Sequence, residues 1–534
     1  MNTLYAESKI GAITSPHHLA TQAGQAVLAQ GGNAIEAAIA VGSVLTVVYP
    51  HMNSIGGDAF FLLSDHNGKI TAIDGAGPAG EHYSIEAYRQ RGHEQIPKRG
   101  PLAANTVAGM VSVWDEALKV SKQEWQGKRP LGELLGPAHH YAEAGAPLKA
   151  GQLQSIRDHW GQLSQTQAFL DHFLIDGKIA QAGENFQQPS LAASFKTLAS
   201  EGLDSFYRGT LAQRIASGLA REGSLLTAKD LSDYHAKIVP HISVPFFKGT
   251  VVNMPPPTVG IASHIMLGIL DRFDISALSP YSAEYIHLQA EATKISHQLR
   301  DRYLADPNFI HVPVEKLLSP SFLDALAARI SLHHAAPFEE GPTPGDTVWF
   351  GVMDRQGRCV SAIQSVCWEY GSGLMAGDTG IVWQNRGHGF SMDVLKANVL
   401  IPKKRPSHTL SAPLYLEGGR PKMVFGTMGG ESQPQTHAIL AMRALKFGLP
   451  LTEVLDSPRW VLGRAWGDMS PTTLKLEHRY DQSVVDQLTK MGHVVEWLDP
   501  YSVFAGHAGI IRVEENGIMQ IAADPRSDGA ALGV

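Results

Sequence analysis

One short stretch of the sequence places a hydroxyl where it could act as a nucleophile: Gly345-Asp346-Thr347-Val348. It lies where a proline- and glycine-rich segment, AAPFEEGPTPGD (residues 335–346), gives way to the apolar run TVWFGVMD. If the peptide bond before Thr347 were cut, one residue would carry both a nucleophilic hydroxyl and its own base, because a free α-amino group has a pKa of about 7.7–8. No separate histidine is needed for such chemistry. The same four residues also suit a capped turn at the start of a strand.

Other reactive residue types are less ordered. The 24 histidines include no H-E-x-x-H pattern, and the pairs His17-His18, His139-His140 and His333-His334 read as surface or core residues, so no metal is expected. The glycine pairs near residues 31 and 56 lack the spacings that cradle phosphate, and G-x-S-x-G is absent. The only two cysteines, Cys359 and Cys367, are too few for a disulfide scaffold or a Cys-rich metal site. Eight residues apart on one expected strand, they share a face and read as small core residues or as a reactive thiol.

Positioning Thr347 falls to a hairpin. TVWFGVMD and CVSAIQSV alternate with a period of two, and Arg355-Gln356-Gly357-Arg358 between them supplies the turn, so a hairpin is predicted to begin at Thr347. Upstream, Asn33 is the expected N-cap of a buried helix, AIEAAIAVGSVLTVV (residues 34–48), which stops before Pro50. Two buried strands follow, Ala59 to Leu63 and ITAID. Residues 80–335 read as mainly helical, including 138–144 just after Pro137 and 282–304, with a break at NMPPPTVGI (residues 253–261). A further helix is expected near 436–447.

Composition narrows the classes. With 44 Lys+Arg against 51 Asp+Glu the net charge is −7, and 18% of residues are charged and 44% apolar. Neither a disordered chain nor a nucleic-acid-binding one fits. The most apolar stretch, residues 34–48, is shorter than the ~20 residues that a membrane span needs. Residues 1–20 contain no signal-peptide-like apolar run, so a cytoplasmic protein is expected.

Longer motifs carry a resemblance. GGNAIEAAIAVGSVLTVVYPHMNSIGGDAFFLL, LTAKDLSDYHAK, NMPPPTVG, GDTVWFGVMDRQGRCVSA, KKRPSHTLSAPL, GTMGG and ADPRSDGAALG are spread nearly end to end. On these the chain resembles the γ-glutamyltransferase (γ-glutamyltranspeptidase) family of N-terminal-nucleophile hydrolases. The resemblance implies an α+β fold, a four-layer αββα sandwich. It implies self-cleavage between Asp346 and Thr347 into segments 1–346 and 347–534 that stay interleaved in one unit, and no cofactor. Thr347 would attack first the carbonyl of Asp346 and then the substrate. Ser365 matches a hydroxyl position beside the nucleophile, and Gly429 and Gly430 match the glycines whose N–H groups form the oxyanion hole.

Departures from the family pattern bear on substrate. The family holds the α-carboxylate of a γ-glutamyl donor with an Arg and its ammonium with an Asp; those positions match Ala76 and Gly389 here. A family Asn matches Cys367, and a tandem Ser-Ser matches His408-Thr409. Arg386 is new in the same loop as Gly389, and reads either as a bidentate carboxylate clamp or as a structural salt bridge. DGAGPAG, QNRG and GTMGG resemble the branch that includes oxamate amidohydrolase and cephalosporin-acylase-like members. The expected substrate is therefore a small carboxylate-containing amide such as oxamate, bound by Arg386, His408, Thr409 and Cys367. A γ-glutamyl hydrolase or transferase, a glutaryl acylase, and a non-enzymatic binding relic are the alternatives.

Overall fold

The computed structural model describes residues 3–338, 346–464 and 469–534. Most of the connector before Thr347, residues 339–345, lies outside them. Two seven-stranded antiparallel sheets form the centre. In spatial order one contains Ala530–Gly533, Ala12–Ser15, Asp346–Met353, Cys359–Cys367, Asp58–Ser64, Ile70–Asp74 and Lys237–Val239. The other contains Tyr5–Ser8, Met519–Ala523, Ala508–Val513, Arg420–Thr427, Leu414–Glu417, Gly249–Asn253 and Ile242–Phe246.

Three apolar layers follow from the period of two. On the strand Asp346–Met353, Val348, Phe350 and Val352 face a core shared with the helices Ala34–Val48 and Met110–Glu124, while Trp349 and Met353 face the second sheet. Beyond the second sheet, Met423 and Phe425 pack with residues of the helices Gly260–Leu270, Ala283–Tyr303 and Gln433–Ala441. Helix, sheet, sheet and helix make the four expected layers.

Between the sheets, Trp349 is the largest insert. Its Nε1 donates to Ser361 Oγ at 3.0 Å, and its ring lies over three glycines, Gly351, Gly426 and Gly509. A Cβ at Gly426 would overlap the indole, so the absence of a side chain there sets the sheet separation at the end where Thr347 sits.

The helix Ala34–Val48 is capped as expected: Asn33 accepts from the Ile35 and Glu36 N–H groups, and Glu36 accepts from Asn33 N–H, closing a capping box. Ser282 caps Ala283–Tyr303 by accepting from the Tyr285 N–H alone. Two expectations need correction. The helix anticipated after Pro137 starts earlier and runs Leu131–Ala144 with Pro137 inside it. The mainly helical region 80–335 also contains Lys237–Val239 and Ile242–Phe246, which are sheet edges, and Gly249–Asn253, which lies inside its sheet. The last anticipated helix, Gln433–Ala441, continues as a π-helical turn, Met442–Lys446.

Candidate active site

The strand Asp346–Met353 crosses the Asp346–Thr347 bond unbroken. Its register with Cys359–Cys367 shifts there, pairing Asp346 with Cys367 but Val348 with Gln364, so Ser365 and Val366 together face Thr347. Thr347 and Ser365 are fully buried. Ser365 Oγ accepts from Cys367 N–H at 2.7 Å and from Arg386 Nη2 at 3.2 Å. Cys367 then turns out of the strand at φ +82° and its side chain lines a cavity of about 320 Å³. The two cysteines therefore part company, since Cys359 stays in the core between the sheets.

Gly429 and Gly430 follow the strand Arg420–Thr427, which packs across the sheet interface against Asp346–Met353. Their φ values of +134° and +52° are glycine conformations. The Ser432 N–H and Oγ both donate to Gly429 O, at 2.9 and 2.7 Å, which locks the turn. The N–H groups of Gly429 and Gly430 thus precede the helix Gln433–Ala441, where backbone donors have no intrahelical acceptor and the helix dipole favours negative charge. Beside them Glu431 is buried against Arg300, with Oε2 2.6 Å from Nη1. Burial pushes Glu431 up to about 7, and the guanidinium opposes that shift.

Arg386 begins a short 3-10 turn, Arg386–Gly389, held at its base by Asn385, whose Nδ2 donates to Lys98 O at 2.7 Å and whose Oδ1 accepts from Trp368 N–H at 3.1 Å. Arg386 is only 3% exposed. Its Nη1 donates to Thr409 Oγ1 at 3.1 Å, in addition to the bond to Ser365. Among the described residues no carboxylate lies within ion-pair distance of it and its Nε has no acceptor. The described residues thus give Arg386 hydrogen bonds but no salt bridge.

Behind Arg386 sits Asp58, fully buried. Its Oδ1 accepts from Gln384 Nε2 at 2.9 Å, Gly109 N–H at 3.0 Å and Gly77 N–H at 3.3 Å, and its Oδ2 lies 3.4 Å from His408 Nε2. Burial raises Asp58 to about 7 against the pull of Arg386 and these donors. Burial, then Arg386 and Arg405, hold His408 well below 6.5, so its imidazole is neutral.

Arg386, His408, Thr409, Cys367 and Gly389 line the cavity with Trp368, Arg300 and Glu431. Gly389 has open space around it, with nothing within 4 Å of a Cβ built there. Ala76 does not line this cavity. It borders a second one, about 220 Å³, with Asp74, Asp306 and Arg405, where Arg405 pairs with both carboxylates.

Sequence reasoning passed over Asp58, although it lies in the quoted IGGDAF segment, and over the Arg300–Glu431 pair. It also passed over His287, Glu291 and His493, buried together with possible ligand atoms within 4.8 Å of one another. There Lys294 Nζ lies 2.6 Å from Glu291 Oε1 and His493 Nε2 lies 2.8 Å from His287 Nδ1, while His287 Nε2 bonds Ser331 O at 2.7 Å and Glu291 accepts from Ala336 N–H at 3.1 Å. The cluster is a hydrogen-bonded anchor for the chain approaching the connector, with the ammonium already in place as the counter-charge.

Known proteins agree with this architecture. The chain is 44% identical over 98% of both chains to the oxamate amidohydrolase proenzyme of Klebsiella pneumoniae, and 39% identical, again over 98% of both, to the glutathione hydrolase-like YwrD proenzyme of Bacillus subtilis. The crystal structure of cephalosporin acylase from Bacillus halodurans superposes with a TM-score of 0.92 at 31% identity, covering 99% of this chain and 97% of that one. The sequence pattern of the Gamma-glutamyltranspeptidase family matches residues 20–534, and the chain belongs to that family.

Proposed function

We propose that the chain is a self-processing amide hydrolase in which Thr347, freed at its amine by cleavage after Asp346, attacks a small carboxylate-bearing amide, with oxamate the leading substrate. The observation that carries this reading is Arg386: a buried guanidinium without a carboxylate partner among the described residues, bonded to Ser365. Burying a charge without a close counter-ion costs several kcal/mol, so an anion in the cavity would stabilise Arg386. A planar guanidinium suits a carboxylate.

The first cleavage passes through an ester between Thr347 Oγ1 and the Asp346 carbonyl, which water opens. In turnover, the Thr347 amine takes the hydroxyl proton as Oγ1 attacks the amide carbon, and the oxyanion is held by the N–H groups of Gly429 and Gly430. The amine then returns the proton to the departing ammonia, and water hydrolyses the oxalyl ester to oxalate. Ser365, bonded to Arg386 and facing Thr347, ties the clamp to the nucleophile.

The name of the Klebsiella relative supports the choice of oxamate. Against a γ-glutamyl donor stand Gly389, which offers no carboxylate to an ammonium, and Ala76, which faces a different cavity. Buried Cys359 and Cys367, both unpaired, fit the reducing cytoplasm. Ammonia release from oxamate, compared with glutamate release from glutathione, tests the reading: turnover of glutathione and not of oxamate overturns it.

A further inference from the structure

We infer that Glu431 is the residue that recognises the amide group itself: its carboxylate accepts the N–H groups of the substrate's –CONH2 while Arg386 holds the carboxylate end. The inference rests on the proposed oxamate reading and deepens it by naming what selects an amide at this site.

Chain connectivity puts Glu431 next to the reacting centre of that mechanism. It follows Gly430 directly and belongs to the same short turn, Gly430–Ser432. It lines the cavity together with Arg386, and its side chain is 8% exposed. An amide whose oxygen is directed to the Gly429 and Gly430 N–H groups carries its nitrogen on the same carbon, so the –NH2 would lie beside the turn that bears Glu431.

Two N–H donors arriving in a buried cavity need acceptors. Most other polar groups of the lining are engaged with one another. Thr409 Oγ1 accepts from Arg386 Nη1 at 3.1 Å, Ser407 Oγ from Asn398 Nδ2 at 2.8 Å, and Asn398 Oδ1 from Ser407 N–H at 3.0 Å. Lys396 offers only donors. The other carboxylate of the lining, Asp301, has a side chain 33% exposed and accepts through Oδ1 from Arg300 Nε at 2.7 Å. Glu431 is paired with Arg300, Oε2 to Nη1 at 2.6 Å. A carboxylate has about four acceptor positions, so that pairing leaves room for both N–H groups.

The recognising form is the ionised one, because protonation turns an acceptor into a donor. The charged groups facing Glu431 are Arg300 and Asp301 on the helix Ala283–Tyr303 and Arg464 beyond the strand Trp460–Leu462. Burial, with Asp301, outweighs the two guanidinium groups and holds Glu431 at about 7. Glu431 itself gains no proton in turnover: the C–N bond breaks, the Thr347 Oγ1 proton passes by way of its amine to the leaving nitrogen, ammonia departs, and water opens the oxalyl ester.

Oxamate and monomethyl oxalate separate this role from a structural one. Both carry the carboxylate for Arg386 and both give the same oxalyl ester on Thr347, but the methyl ester has no N–H. The Thr347 amine and Asp58 act on both alike and cancel in the ratio of the two kcat/KM values. With processed wild-type protein, and oxalate production corrected for uncatalysed hydrolysis, the oxamate to monomethyl oxalate ratio should rise as pH passes upward through about 7. Glu431→Gln keeps the shape, but its oxygen stays on Arg300 and its –NH2 meets the substrate –NH2. The ratio at alkaline pH should therefore fall at least about tenfold and lose its pH dependence. A ratio equal to that of wild type overturns the inference, even where both substrates slow together, since equal losses mark a purely structural role. If the variant fails to fold or to process, the wild-type profile decides, and a ratio independent of pH overturns the inference. No turnover of oxamate by processed wild type overturns the proposed function, and the inference with it.

Discussion

Arg386 and Ser365 share a hydrogen bond of 3.2 Å inside a site where both are buried, so the cation that would hold a substrate carboxylate is fixed to the strand facing Thr347. In the proposed mechanism, recognition and chemistry are thereby coupled through one hydroxyl.

Removing the guanidinium should expose that coupling. Arg386→Ala is expected to lower kcat/KM for oxamate by about 10–100-fold or more, the range for losing a hydrogen bond to a charged group worth about 1.5–3 kcal/mol. Arg386→Lys keeps the charge but not the fork, and should recover only part of the activity. Steady-state kinetics on processed protein check both.

Processing has a direct readout. Wild-type protein is expected to run on a denaturing gel as two fragments, residues 1–346 and 347–534, and Thr347→Ala as one uncut chain. Intact mass fixes the bond. An uncut wild type, active all the same, would remove Thr347 from its proposed role.

The Gly-Gly turn should be intolerant of a side chain. At φ +134°, Gly429 occupies a conformation that alanine rarely adopts, so Gly429→Ala must reorient the adjoining N–H groups. A fall in kcat of about 10²–10³ is expected, with KM little changed, because an oxyanion donor acts in the transition state.

Asp58 predicts a pH effect with a definite sign. Burial raises it to about 7, so it gains its charge as pH rises through neutrality. That charge is beside the anion site and repels a substrate carboxylate, so KM for oxamate should rise with pH above about 7. Asp58→Asn keeps an oxygen for the Gly77, Gly109 and Gln384 donors and should flatten the rise. A pH profile of KM for both proteins decides it.

Packing around Trp349 should be felt at a distance. Gly426→Ala forces a methyl into the indole, and overpacking of this kind costs about 1–3 kcal/mol. Thermal unfolding in a Thr347→Ala background, where the chain stays whole, should show a lower Tm. In an otherwise native chain the same change should slow self-cleavage, since Trp349 lies two residues from the cut.

Much of the frame was legible because it is written locally. The Asn33 cap and the alternating strands of the hairpin each show within a few residues of sequence. Two of the missed strands are edge elements: Ile242–Phe246 contains Pro245, and Lys237–Val239 is short and largely exposed, so neither presents a buried apolar run, while Gly249–Asn253 lies inside its sheet but is only five residues long. The helix through Pro137 defeats the rule that proline opens or ends a helix, and here tertiary packing of Leu134, Leu135, Ala138 and Ala142 prevails. Within the site, the resemblance supplied Thr347, Ser365, Gly429 and Gly430 as expectations, while Asp58 facing His408 and Arg300 facing Glu431 join residues hundreds of positions or several elements apart. No spacing in a single sequence marks such pairs, and only the fold brings them together.

Both central sheets combine strands from before and after the Asp346–Thr347 bond: Asp346–Met353 lies between Ala12–Ser15 and Cys359–Cys367, and Leu414–Glu417 pairs with Gly249–Asn253. Once that bond is cut, the two polypeptides cannot part without dismantling both sheets, yet nothing covalent would reunite them afterwards. Maturation thus converts a first-order refolding reaction into a second-order one, and the mature protein's recovery from denaturant should depend on its concentration while the precursor's does not.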